Sequence, residues 1–158
     1  MDKTGPEEMK YVTYCGLYCG LCSSRGRIPQ QSRVLRDSMV KDGYDQWGEQ
    51  YLPNFKEFWT FLNARCEPDK CCPGCRQGGG NPECDIRKCA QKRNVEICVN
   101  CDDYPCERIS GISGLGKIYP TLIADGQRLK EIGIDRWVQE QKKRAETGFV
   151  YSDIRNNQ

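Results

Sequence analysis

The 158-residue chain contains no histidine. That absence excludes Ser-His-Asp and Cys-His catalysis, His-ligated haem and the mixed Cys/His zinc fingers. Proton transfer near pH 7 would fall to a perturbed Cys, Lys or carboxylate, because histidine is the side chain that ordinarily titrates there. Core-forming residues are scarce as well. Leu, Ile, Val and Phe number 29, or 18% of the chain, under the ~20% below which a sequence runs short of core. The formal charge is only +2, so the strong self-repulsion that accompanies disorder is missing too. No apolar run approaches the ~18 residues of a membrane span. The opening residues Met1 to Glu8 are charged and lack the apolar stretch of a secretory signal. A cytoplasmic protein with no membrane partner is expected.

What the chain has in abundance is cysteine, with 12 residues. In a reducing compartment these stay thiols or thiolates, which favours metal binding over disulfides. The competing reading, six disulfides in a secreted protein, fits poorly. The chain exceeds the usual disulfide scaffold, and its cysteines fall in pairs spaced for metal.

Three cysteine clusters alternate with helical patterns. The first, Cys15-Gly16-Leu17-Tyr18-Cys19-Gly20-Leu21-Cys22, is spaced C-x3-C-x2-C. Pro29 then opens a predicted helix with Val34, Leu35 and Met39 on one side and Gly43 as its stop. Phe55, Phe58, Trp59 and Leu62 recur at helical offsets after Pro53 and read as a core stripe. The second cluster holds Cys66, Cys71, Cys72, Cys75, Cys84 and Cys89, interrupted by a Gly/Pro loop over 77–82. A short basic helix is predicted over 85–94. The third cluster is Cys98, Cys101 and Cys106, with Asp103 as candidate N-cap and Pro105 in the first turn of a helix. Residues 115–130 are weakly helical, and Gly133 ends that segment. The next helix presents Ile134, Trp137, Val138, Gln141 and Ala145 on one docking face. The glycine-rich 111–116 reads as a flexible connector. Strand signals are few. The expected fold is mainly α with irregular, Cys-rich, zinc-knuckle-like segments, small α+β being the variant. It is stabilised by metal and forms a single domain over 1–158, with 1–10 a flexible N-terminus.

A metal site needs several thiolates converging on one ion, and a C-x2-C turn points two sulfurs the same way. Cys72-Pro73-Gly74-Cys75 and Cys98-Val99-Asn100-Cys101 are two such turns, separated by 22 residues. Simple grouping by position puts Cys72, Cys75, Cys84 and Cys89 in one site. Cys98, Cys101 and Cys106 then form a second set, and Cys15, Cys19 and Cys22 a third. Cys66 and Cys71 are available to complete the short sets. An interleaved pairing of Cys72/Cys75 with Cys98/Cys101 competes closely. Cys84 and Cys89 are five residues apart, about 140° around a helix, so they can share an ion only if Cys84 lies off the helix.

Zinc is the favoured metal, with an iron–sulfur cluster of the 4Fe-4S type as the alternative, since soft thiolates suit both. The C-x3-C-x2-C at Cys15 to Cys22 has the spacing of radical-SAM enzymes, but no repeated β/α pattern supplies their barrel. A thiol enzyme using Cys66 or Cys71 as nucleophile is a third reading and lacks an identifiable base. Basic runs at Arg87-Lys88, Lys92-Arg93 and 142–144 read as solvated helix faces, because acidic residues are interspersed. Each tetrathiolate zinc site carries −2, so two filled sites turn the formal +2 into −2. Nucleic acid is therefore an unlikely partner on charge grounds, and a protein partner is the expected one.

The segments Tyr14-Cys15-Gly16-Leu17 with Cys19 and Cys22, Cys72-Pro73-Gly74-Cys75, Cys84-Asp85-Ile86-Arg87-Lys88-Cys89, and Cys98 to Glu107 resemble an uncharacterised prokaryotic family, domain of unknown function 3795. Residues 133–141 and 148–155 are also similar to its members. The resemblance implies a small cysteine-rich, metal-binding protein without an assigned activity. It covers ten of the cysteines and leaves Cys66 and Cys71 outside the motifs. The candidate ligands are thus Cys15, Cys19, Cys22, Cys72, Cys75, Cys84, Cys89, Cys98, Cys101 and Cys106, enough for two four-thiolate sites.

Overall fold

A computed structural model of the chain describes residues 5–155. The short helix α1 (Pro6–Met9) leads into a tight reversal in which Val12 and Tyr18 form an isolated antiparallel bridge. No strand occurs among the described residues, so the α+β variant is not realised. Of the N-terminus expected to be flexible, residues 1–4 lie outside the described residues, while α1 is docked. Met9 packs against the core, and Glu8 pairs with Lys142.

Three helices follow, α2 (Arg27–Lys41), α3 (Tyr44–Tyr51) and α4 (Phe55–Arg65), and they pack on one another. Gly43 stops α2 as its sequence position suggests. The rings of Tyr44, Phe58 and Trp59 surround Phe55. Yet the expected apolar faces are only partly buried. Phe55 and Leu62 are inside, while Phe58 is 41% exposed, Val34 69% and Leu35 47%. The reason is cover. A layer of three short helices has too little facing surface to bury both sides of each helix.

The remaining elements are α5 (Pro68–Cys71), α6 (Asp85–Lys92), α7 (Glu107–Ser110), α8 (Leu115–Ile118) and α9 (Leu122–Glu146). Helix α7 begins later than Asp103 would dictate. Cys106 is its N-cap residue, so Asp103 and Pro105 precede the helix. The 111–114 stretch connects α7 to α8, with Gly111 and Gly114 buried and Ile112 exposed between them.

Helix α9 breaks at Gly133 (φ 77°, ψ 164°), a backbone conformation that excludes ordinary side chains. An unbroken helix would set Asp125 and Arg144 roughly 28 Å apart. They form an ion pair at 3.3 Å, and Arg128 reaches Glu140 at 2.7 Å, so the two halves fold back on each other. The Trp137 indole N–H donates to the Asp125 carbonyl at 3.0 Å across that hairpin. The docking face expected from sequence is real, with Trp137 and Val138 fully buried and Gln141 nearly so.

The core joins this hairpin to the cysteine turns. Cys19–Leu21 and Cys98–Asn100 are both 3-10 turns packed on α9. The apolar residue inside each, Leu21 or Val99, is sealed in the core with Val12, Ile97, Leu129 and Trp137. Leu21 and Val99 thereby anchor the turns on the hairpin. No described helix is long and apolar enough to cross a membrane.

Replacing Trp137 with alanine removes the largest fully buried side chain and should cost about 3–5 kcal/mol. Urea denaturation would show it as a lower midpoint at unchanged slope. A loss under about 1 kcal/mol would mean the hairpin does not depend on this residue.

Candidate metal centre

All twelve cysteines carry free thiols. Eight of them line two cavities. The first, of about 230 Å³, is lined by Cys19, Cys22, Cys72 and Cys75, together with Ser23, Tyr119 and Arg155. The second, of about 70 Å³, is lined by Cys89, Cys98, Cys101 and Cys106 with Tyr104. The grouping is neither of the two weighed from spacing. Cys72/Cys75 meet the Cys19/Cys22 turn rather than Cys84/Cys89 or Cys98/Cys101, and Cys89 joins the third cluster. The physical cause is the core: both 3-10 turns are fixed on α9, and each presents its cysteines to a different incoming segment.

Local geometry supports each thiol set. The Cys22 N–H closes its turn on the Cys19 carbonyl at 3.0 Å, and the Cys101 N–H closes on the Cys98 carbonyl at 2.9 Å. The Cys72–Cys75 segment lies against the first turn, and a Cβ at Gly74 would sit 3.8 Å from the Cys19 sulfur. Gly79 leaves room for the Cys72 sulfur, since a Cβ there would approach it to 2.8 Å. Arg25 donates to the Cys72 carbonyl and to Asp69, so the second segment is held against the first.

Cys15 and Cys84 stand apart from both sets. The Cys15 sulfur contacts the Thr13 hydroxyl at 3.1 Å and lies within electrostatic reach of Cys75, Cys84 and Cys98. Cys84 is the N-cap of α6, off the helix as sharing with Cys89 would require, yet it opens on a separate depression beside Asp85 and Arg108. Cys66 and Cys71 line neither cavity. Cys66 is 1% exposed, and its thiol donates to the Leu62 carbonyl. The Cys71 thiol donates to the Arg65 carbonyl. Both thiols are tied to backbone carbonyls as packing groups.

Among the described residues no group of three or more Cys, Asp or Glu side chains is arranged to hold an ion. The donor chemistry nonetheless fits a soft metal: four thiols per cavity, and no carboxylate lining the first. The second cavity adds an orphan. The Tyr104 side chain lines this cavity, and its hydroxyl is buried against Gly126 with no hydrogen-bond partner. Such a group costs free energy unless it finds an acceptor.

Sequence reasoning missed the arginines. Arg87, read as part of a solvated face, donates to the carbonyls of Cys75, Gly79, Asn81 and Pro82. The 77–82 loop is therefore clamped. The available signal was position, since Arg76 follows Cys75 directly and Arg87 lies two residues before Cys89.

Burial pushes the Cys15 and Cys19 thiols from the ordinary 9.0 up to about 11, and Cys98 up to about 12. Without metal these thiols stay protonated in the folded chain above pH 9, where unfolded thiols lose their protons. The folded state then binds more protons, so its stability is intact below about pH 9 and is lost as pH rises through 11 to 12. Urea midpoints of the metal-free protein between pH 8 and 11 should fall steadily. A flat or rising trend would contradict the burial of these sulfurs.

Residues 11–111 match the family described as Protein of unknown function (DUF3795), and the chain belongs to that family. The matched stretch contains every cysteine; the C-terminal segments that resemble the family lie beyond it. No curated protein and no solved structure matches the chain.

Proposed function

We propose that this DUF3795 protein is a metal-binding scaffold that holds one zinc ion in each cysteine cavity, and that the ions fix loops its small core cannot. The observation that carries this reading is the sorting of the thiols. Segments far apart in sequence bring four cysteines to each of two cavities, and the two cysteines outside the family motifs are the ones bonded to helix carbonyls. Zinc suits the first cavity because two C-x2-C segments, Cys19/Cys22 and Cys72/Cys75, line it together. Cys15 and Cys84 flank the two sets in this reading. Zinc binding displaces the thiol protons of its ligands, so loading releases acid. A reducing cytoplasmic setting keeps the thiols available.

An iron–sulfur cluster for electron transfer or redox sensing is the second reading. It is favoured by the size of the first cavity, about three times the volume of the other. The scaffold's partner-facing surface is best sought on α2 to α4, which carry seven of the nine large exposed apolar side chains among the described residues, including Val34, Tyr51 and Phe61, with Leu52 an eighth between α3 and α4. Such concentration marks a protein-interaction face.

Purification without oxygen, metal analysis and an absorption spectrum test the reading. Two zinc ions per colourless chain are expected. C19S/C72S and C98S/C101S should each remove one of them. A brown protein with stoichiometric iron would replace zinc by the cluster, and a chain without bound metal would overturn metal binding altogether.

A further inference from the structure

We infer that the two cavities take up metal cooperatively, because Arg76 and Arg87 tie each cysteine set to the backbone of the other. The inference rests on the metal-binding reading and adds a coupling between its two sites.

Arg76 directly follows Cys75 of the first set. Its Nε donates to the Val12 carbonyl at 2.6 Å and its Nη2 to the Glu96 carbonyl at 2.6 Å. Its guanidinium lies over the Tyr14 ring, 4.5 Å from the centroid. Glu96 is two residues before Cys98, the first thiol of the second set's turn. The Cys98 N–H in turn donates to the Tyr14 carbonyl at 2.7 Å. One side chain thus spans from a ligand segment of the first cavity to the strap that delivers a ligand of the second.

Arg87 runs the other way. It lies on α6, two residues before Cys89 of the second set, and its Nη1 donates to the Cys75 carbonyl at 3.2 Å and the Gly79 carbonyl at 2.8 Å. Its Nη2 takes the Asn81 and Pro82 carbonyls at 2.8 and 3.1 Å. The first cavity's loop is thereby held from the helix that carries a thiol of the second.

A guanidinium satisfies two separated carbonyls only when both segments are in place, because its donors form a rigid planar fork. Ordering either cysteine set with an ion therefore prepays part of the ordering cost of the other, which is positive coupling. The coupling is reciprocal by linkage, so the order of filling does not matter.

Native mass spectrometry during zinc titration under reducing conditions reads the coupling directly. Two independent, equal sites give about half singly loaded chains at half saturation, whereas a tenfold coupling lowers that fraction to about a quarter. Wild type should fall at or below about a quarter. R76A and R87A should each take up two ions and raise the fraction toward half, and the double variant should return it to about half. R76K keeps the charge but cannot reach both carbonyls, so it should behave like R76A. A wild-type fraction of about half or more would overturn the coupling while leaving metal binding intact. An unchanged distribution in folded R76A or R76K would remove Arg76 from the role, and no zinc uptake at all would overturn the underlying reading instead.

Discussion

Hydrogen bonds from arginine side chains to loop carbonyls are the interaction on which the rest of the structure depends. The cysteine-bearing segments belong to no sheet and to few long helices, so their backbone acceptors have no ladder to join. A buried carbonyl without a donor costs free energy comparable to a lost hydrogen bond. Arg25, Arg33, Arg65, Arg76 and Arg87 supply those donors to the carbonyls of Val12, Cys66, Lys70, Cys72, Cys75, Gly79, Asn81, Pro82 and Glu96. Arginine suits the task because its planar fork presents several N–H groups from one pre-organised head. These five arginines therefore act as internal fasteners rather than as free positive surface.

Apolar packing supplies the second support from a single direction. The α9 hairpin, turned at Gly133 and closed by Trp137 on Asp125, is the one broad apolar surface in the cysteine-bearing part of the molecule. Leu21 and Val99 plug the two 3-10 turns into it. Each turn then projects its cysteines away from the hairpin, where the Cys72–Cys75 segment meets one and α6 meets the other. Core, strut and thiol set are three consecutive layers of one arrangement. With so few Leu, Ile, Val and Phe residues in the chain, the outermost layer has to be fastened by something other than apolar burial, and bound metal is the proposed fastener, since its binding energy becomes folding energy.

Helices were the most legible part of the sequence. The stop at Gly43, the break at Gly133 and the buried face of Trp137, Val138 and Gln141 follow from periodicity and backbone chemistry, which act over neighbouring residues. The burial of α2 and α4 was less legible, because exposure of Val34 and Phe58 depends on how much surface three short helices offer one another. The start of α7 was misplaced because Asp103 and Pro105 offered a cap and first-turn pattern three residues before the actual N-cap, Cys106. The thiol grouping was hidden because it is decided in three dimensions. Spacing alone gives Cys72/Cys75 no preference between the Cys19/Cys22 and Cys98/Cys101 turns, and the choice is made by Leu21, Val99 and α9. The arginine contacts were hidden for the same reason, as a guanidinium bonded to carbonyls leaves no periodic trace.

The central claim is that metal completes a fold whose own core is insufficient. Circular dichroism of the zinc-loaded protein before and after full chelation under reducing conditions tests it most directly. Helix content should drop substantially on metal removal and return when zinc is restored, since the cysteine loops brace α6 and the α9 hairpin. Helicity that survives complete removal of metal would show that the arginine struts and the Trp137 core suffice alone, and would contradict the claim.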